Sequence, residues 1–420
     1  MKKIIFIILA LTSSVYANEL ERILDQANKY TVKIYNSTDT PFLEDSYTPS
    51  AGSGFLIDKA NGIIITNAHV ASYSPALNRV NFKYSNPVQS KQAYIDPELD
   101  LAFLKIDPKS IPNNAVEAKL HCKNNYNQGQ EVVAFGHPAG KDFTITRGII
   151  SAVRFESDFF ESIQTDAAIN RGNSGGALID VKSGLVVGIN SFGIQENEGL
   201  NFALPSYTVC KVIDLFKNKK DPSPLNFNVI FANNKEQGKF LKVSEVLTND
   251  NQLKVGDEII QIDGIKIENP TQLSHETRGK TNVNLKIIRD NKEQELKLTL
   301  KSKGSITDRV GLIFSNVIIS DKASSTRLAI NQRMANPKGN LVVQNLRSGP
   351  ASGKLRKFDV IMYVDGKEFK NVQSLHDYLK DKREIEIFFR RPALNEQEKV
   401  NYTDFHDKIE VRDVKMLRFE

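Results

Sequence analysis

A chain of 420 residues exceeds what one hydrophobic core ordinarily holds and implies two to four domains. Apolar residues at 40% and charged residues at 25% are globular proportions, which excludes a disordered or collagen-like chain. The 56 basic and 50 acidic side chains leave a net charge of +6 with no long run of one sign, so no basic patch or stripe marks a nucleic-acid surface.

The first segment reads as a targeting signal (1–17). Lys2 and Lys3 precede an apolar stretch from Ile4 to Leu11, and Val15-Tyr16-Ala17 offers a small-residue cleavage site. That stretch is too short to span a bilayer and no later one approaches ~18 uninterrupted apolar residues, so no stable membrane anchor is expected. The expected mature chain starts near Asn18 and is exported, to the periplasm in a Gram-negative source.

From Tyr30 to Leu204, short β runs alternate with turn residues: Thr31–Tyr35, Gly54–Ile57, Ile63–Thr66, Leu101–Ile106, Glu131–Phe135, Gly148–Val153 and Leu185–Ile189. This spacing predicts a barrel or sandwich. A helix is predicted from Ser206 to Lys217. The prolines of Asp221-Pro222-Ser223-Pro224 fit neither a helix interior nor a central strand and mark a linker. Beyond it lies an internal repeat, Asp257–Gly264 matching Asp359–Gly366 at an offset of 102 residues, which Asn269/Asn371, Leu273/Leu375 and the strands starting at Val283 and Ile385 keep. Two cysteines, Cys122 and Cys210, suffice neither for a disulfide scaffold nor for a four-cysteine zinc site. In an oxidising compartment the two could pair, but with one in a loop and the other in the predicted helix, free thiols are expected over a disulfide.

Three segments carry chemistry: Ile65-Thr66-Asn67-Ala68-His69-Val70, Asp100-Leu101-Ala102-Phe103-Leu104 and Gly172-Asn173-Ser174-Gly175-Gly176. Each alone has an ordinary structural explanation, a turn or a cap. Together they supply what a serine nucleophile needs. A neutral imidazole must take the hydroxyl proton, and a carboxylate must hold the imidazole tautomer and stabilise the imidazolium. Glycines around Ser174 let the N–H groups of the Gly172-Asn173-Ser174 turn, Gly172 and Ser174 above all, point at one oxyanion. In the β-rich region the other histidines, His121 and His137, sit in loop-like contexts, so His69 is the expected base. A metalloprotease reading lacks His-Glu-x-x-His and any Cys/His cluster, and no metal or other cofactor is expected.

Across nearly the whole mature chain the sequence resembles the HtrA (Deg) serine proteases, most specifically in Gln164–Leu178, and Gly199–Ser206 is similar to the family segment closing the substrate pocket. The resemblance implies a mainly β chain: a trypsin-like double β-barrel protease domain (18–220), then two PDZ domains (221–303 and 304–420), each a β-sandwich or partly open barrel with helices. It places the triad at His69, Asp100 and Ser174. It also puts Ala168, with Ile169 beside it, at the base of the specificity pocket, so small aliphatic residues are expected before the scissile bond. Asn190, Ser191 and Phe192, with Gly193, would pair with an extended substrate. In the second PDZ, Gly311, Leu312, Ile313 and Phe314 fit the loop that holds a peptide C-terminus, whereas the first copy has no glycine there. Arg154, near Phe159 and Phe160, would relay activation to Asp166–Arg171, and the stretch from Asn36 to Ala51 is short where some members carry a long insert. The implied activity is ATP-independent endoproteolysis of unfolded exported polypeptides by a homotrimer or larger assembly, the alternative being a chaperone or holdase with latent protease activity.

Overall fold

The alternating apolar runs close into two antiparallel barrels of six strands each. The computed structural model describes residues 20–137, 143–155, 161–193, 199–232, 241–248, 250–321, 339–394 and 400–419; the proposed signal segment lies outside them. A helix α1 (20–30) leads into the first barrel of β1 (Thr31–Ser37), β2 (Ser50–Asp58), β3 (Ile63–Thr66), β4 (Leu77–Phe82), β5 (Val88–Asp96) and β6 (Leu101–Lys105), with a one-turn helix α2 (Ala68–Ala71) after β3. The second barrel comprises β7 (Glu131–Gly136), β8 (Thr144–Phe155), β9 (Glu161–Thr165), β10 (Ala177–Asp180), β11 (Val186–Gly193) and β12 (Asn201–Pro205). Strand β3, Ile-Ile-Ile-Thr, is buried at all four positions, as a short uninterrupted apolar run predicts for a strand covered on both faces. Its core continues through Phe135, Ile179 and Leu204 of the second barrel to Val209 and Val212 of α3 (Ser206–Lys217), the helix expected there.

Helix α3 corrects one expectation. Cys122 and Cys210 form a disulfide with Cα atoms 5.7 Å apart, not free thiols. The helix folds back over the barrel and sets Cys210 beside the loop before β7, a neighbourhood that a separation of 88 residues conceals. Closing so long a loop restricts the unfolded chain and stabilises by about 4–5 kcal/mol on chain-entropy grounds.

The repeat is structural. Strands β13 (Val229–Phe231) and β14 (Val243–Val246) form a ribbon beside a sheet of β15 (Glu258–Ile262), β16 (Ile265–Lys266), β17 (Asn282–Arg289) and β18 (Lys292–Thr299), with helix α4 (Pro270–Thr277) before β17. The second copy is a seven-stranded sheet of β19 (Gly311–Phe314), β20 (Val317–Asp321), β21 (Leu341–Leu346), β22 (Val360–Val364), β23 (Glu384–Leu394), β24 (Val400–Glu410) and β25 (Lys415–Leu417), with helix α5 (Val372–Leu379) before β23. Both helices are capped by the asparagine side chain preceding them, Asn269 and Asn371. The ion pairs repeat as well: Asp257–Arg289 at 2.7 Å recurs as Asp359–Arg391 at 2.8 Å.

The proline-containing linker interrupts the regular structure as expected, yet it is no solvated tether. Pro222, Ser223 and Pro224 are buried, and the Pro222 carbonyl accepts from Arg278 at 2.7 Å. Nearby, burial and then the Lys211 and Arg278 charges push the His275 imidazole down to about 4. The unfolded chain, with the ordinary value of 6.5, therefore holds this proton more tightly than the folded one. Stability from the neutral ring is complete above pH 6.5 and is lost as pH falls toward 4, by up to about 3 kcal/mol. Urea titrations at several pH values should show this slope in the native chain and a flatter one in His275→Leu; equal slopes would assign the acid sensitivity elsewhere.

Candidate active site

The carboxylate of Asp100 is the organising acceptor. Asp100 has φ of +50°, a left-handed turn that Asp tolerates better than most residues, immediately before buried β6. Its backbone carbonyl accepts from Ala68 N–H at 3.0 Å and from the Asn67 side chain at 2.9 Å, which fixes the start of α2 against it. His69 lies within α2, three residues past the end of β3. Its backbone N–H donates to Asp100 Oδ1 at 3.0 Å, and its ring Nδ1 lies 2.8 Å from Oδ2. An ionised carboxylate only accepts, so Nδ1 carries the proton and Nε2 keeps its lone pair. Desolvation at the site pulls the His69 pKa down, but the Asp100 charge, its hydrogen bond and the more distant Asp45 outweigh this, and the net shift is upward.

Two further donors reach the same carboxylate: Ser191 Oγ at 2.9 Å to Oδ2 and Tyr73 Oη at 3.2 Å to Oδ1. Burial, then the charge and hydrogen bond of Asp100, push the Tyr73 phenol well above its ordinary value, so it stays a donor. Neither role is legible in the sequence, because neither residue stands in a motif; Ser191 enters it only as part of a substrate-pairing strand.

Ser174 sits in a tight turn whose glycines are required. Gly172 and Gly175 have φ of +104° and +83°, and a Cβ on Gly175 would lie 2.1 Å from the Ser53 carbonyl oxygen and 2.3 Å from Thr66 Oγ1. That close approach brings the turn against Thr66-Asn67, directly before α2. Ser53 N–H donates to the Ser174 carbonyl at 2.8 Å, and Ser53 Oγ to that of Gly172 at 2.6 Å. Buried His137, expected in a loop, abuts Ser53 Oγ through Nδ1 at 3.0 Å and so backs the same turn. Asn173 N–H is used within the turn, to Asn170 O at 2.9 Å, whereas those of Gly172 and Ser174 donate to no acceptor among the described residues. The Ser174 hydroxyl donates to the Ser191 carbonyl at 2.9 Å and makes no hydrogen bond with His69 in this conformation. Ser191 thus links the two halves, its hydroxyl on Asp100 and its carbonyl on Ser174.

The other expected site residues divide. Ile169 is 6% exposed and belongs to the second-barrel core, leaving Ala168 at the surface. Asn190 is buried, with its side chain donating to Ala177 O at 3.3 Å, and Phe192 stacks on Phe202 at 5.0 Å between centroids. Pairing with β10 ends at Ala177–Ile189, so Ser191–Gly193 run on past it toward Ser174. Arg154 pairs through its backbone with Ser162; its side chain, with Phe159 and Phe160, lies outside the described residues. Gly311, Leu312, Ile313 and Phe314 form β19, which has strands on both edges.

The short stretch between β1 and β2 reaches the site from the far sheet. Glu44 and Arg309, both buried, pair at 2.8 Å, Asn345 donates to Pro41 O at 3.0 Å, and Leu43 N–H donates to Gln344 at 3.3 Å. One residue on, Asp45 accepts from Ser72 at 2.7 Å and also from Ser74, just beyond α2, and burial pushes its carboxyl up.

Residues 52–189 match the trypsin-like peptidase domain. A probable periplasmic serine endoprotease, DegP-like, of Marinomonas sp. (strain MWYL1) is 30% identical over 364 residues, covering 79% of this chain and 74% of that protein. The periplasmic serine endoprotease DegP of Escherichia coli (strain K12) is 28% identical over 359 residues, covering 80% and 73%. Among solved structures, the HtrA-type protease AlgW with a tripeptide is similar at a TM-score of 0.53 and 26% identity, covering 68% of this chain and 96% of that one. No described helix is long and apolar enough to cross a membrane. On this identity and coverage, joined to a double barrel with two further β units, the chain belongs to the HtrA/DegP family and is a serine endopeptidase.

Proposed function

We propose that His69, Asp100 and Ser174 hydrolyse peptide bonds through an acyl-enzyme. The observation that carries this is the 2.8 Å contact of His69 Nδ1 with Asp100, linked through Ser191 to the hydroxyl of Ser174. Ser174 Oγ turns from the Ser191 carbonyl to His69 Nε2, gives up its proton and attacks the substrate carbonyl. Asp100 stabilises the imidazolium, and the N–H groups of Gly172 and Ser174 receive the oxyanion. His69 then protonates the leaving amine, and a water activated in the same way releases the acyl group.

The proposed substrates are unfolded exported polypeptides in the periplasm, since strand addition along Ser191–Gly193 requires an extended chain. Ala168, exposed and without a charge, supports a preference for small aliphatic residues before the scissile bond. One methylene there decides only about 1–3 kcal/mol, so cleavage is permissive. We place residues 18–220 as the protease domain, 221–303 and 304–420 as PDZ domains, and the assembly as a homotrimer or larger.

Incubation with a fluorophosphonate and mapping of the adduct should label Ser174; a label elsewhere, or none under any activating condition, overturns the assignment. The base works only when neutral, so the rate falls as pH drops through its raised pKa. The acid limb of kcat/KM on a chromogenic peptide should accordingly lie above the ordinary histidine value of 6.5. A limb at or below that value would contradict the role given to Asp100.

A further inference from the structure

The groove beside β19 is already filled by the chain itself. Strand β25 runs antiparallel to β19, with Leu417 opposite Gly311, Met416 opposite Leu312 and Lys415 opposite Ile313. Helix α5 packs against both strands, so β25 occupies the slot between strand and helix. Its side chains alternate as a bound strand's must. Val414 and Met416 pack on the core of the C-terminal sheet, while Leu417 approaches Gly311 from the other side. Arg418 reaches α5 through Gln373 at 3.3 Å, and Phe419 packs against the large hydrophobic core that runs through both barrels to Ile306. The segment arrives from the opposite edge of the sheet, crossing from β24 by way of Ser315, which accepts Arg412 N–H on its hydroxyl at 3.0 Å and donates its own N–H to the Arg412 carbonyl at 2.7 Å.

We propose that Val414–Phe419 is the resident ligand of this slot. The slot takes an extended peptide with apolar side chains at the two positions held by Val414 and Met416 and a basic one between them, and an external peptide binds only by displacing the segment. Three paired residues at a sheet edge are a short hold, which makes exchange feasible, and displacement would also withdraw Phe419 from the core it packs against. The inference rests on reading the C-terminal unit as a peptide-binding module, and it is independent of the triad.

The probe is a labelled synthetic peptide with the sequence of residues 411–419, titrated by fluorescence anisotropy into the full chain. Met416→Asp removes the anchor of the resident segment and should bind the probe at least tenfold more tightly than the native chain, because the open slot is more populated. Equal affinity in both chains, or uptake by neither, overturns the proposal. Hydrogen exchange on the native chain needs no variant: saturating probe should strip protection from the amides of 415–417 at least tenfold. Probe bound with that protection unchanged sits elsewhere and also overturns it. Failure of fluorophosphonate labelling at Ser174 with intact peptide exchange would reject only the catalytic reading.

Discussion

Replacing Ser174 by alanine should lower kcat for casein cleavage on the order of 10⁶-fold while leaving the melting temperature unchanged, because a nucleophile, base and carboxylate that act as one unit fail together. Stability should hold because the Ser174 side chain makes a single hydrogen bond among the described residues, to Ser191, whereas its turn is held by backbone contacts from Ser53 and Asn190 that alanine keeps. Asp100→Asn should cost about 10⁴-fold, since an amide in that place accepts poorly from Nδ1 and favours the wrong tautomer. Both are read from initial rates on casein, with circular dichroism as the control for folding. A Ser174→Ala chain that retains even a hundredth of the native rate would remove the nucleophile from the proposal. One that is inactive yet still suppresses aggregation of a denatured protein would favour the chaperone alternative.

Arg278→Ala should destabilise the chain by about 3–5 kcal/mol, the largest effect expected away from the catalytic groups. The Arg278 side chain is 0% exposed and its partner Asp96 2%, with Nη1 at 2.6 Å from Oδ2. Truncating the arginine leaves a carboxylate buried and unpaired beside the Tyr94 hydroxyl. The damage would also reach the active site. Asp96 Oδ1 accepts from the N–H groups of Glu98 and Leu99, at 3.0 and 3.2 Å, in the turn that presents Asp100. Urea denaturation gives the stability loss and casein cleavage the loss of activity. Arg278→Met with Asp96→Leu, which removes both charges, should recover much of the stability, because the pair as a whole is far less stabilising than either half is damaging when left alone. A single-variant loss below about 1 kcal/mol would show that water or another cation compensates Asp96.

Much of this molecule is legible from its residues because the relevant signals are local. The runs at Ile63–Thr66 and Leu101–Ile106 read as buried strands, Ser206–Lys217 as a helix, and the paired Asp-Gly repeats as one unit used twice. The glycines around Ser174 announce a tight turn in five letters. Pairings between distant segments are not legible in this way. Cys122 and Cys210 are 88 residues apart, and neither flanking pattern says that α3 folds back. Tyr73 and Ser191 converge on Asp100 from α2's far side and from β11, and no spacing rule joins a phenol, a hydroxyl and a carboxylate across two barrels. The stretch from Asn36 to Ala51 is short in sequence, but only the fold shows that Glu44 meets Arg309, 265 residues away.

The amino-acid sequence by itself determined which segments become strands and helices, where the chemistry-bearing residues lie along the chain, and that one unit occurs twice. These follow from period, turn chemistry and backbone freedom, which act over a few neighbouring residues. Tertiary structure alone decided the disulfide, the donors gathered on Asp100, the buried Arg278–Asp96 pair and the filling of the β19 groove by β25. Each depends on how separate units pack together, and burial then turns that proximity into binding energy: a charge or hydroxyl removed from water must find its partner wherever the fold has placed one.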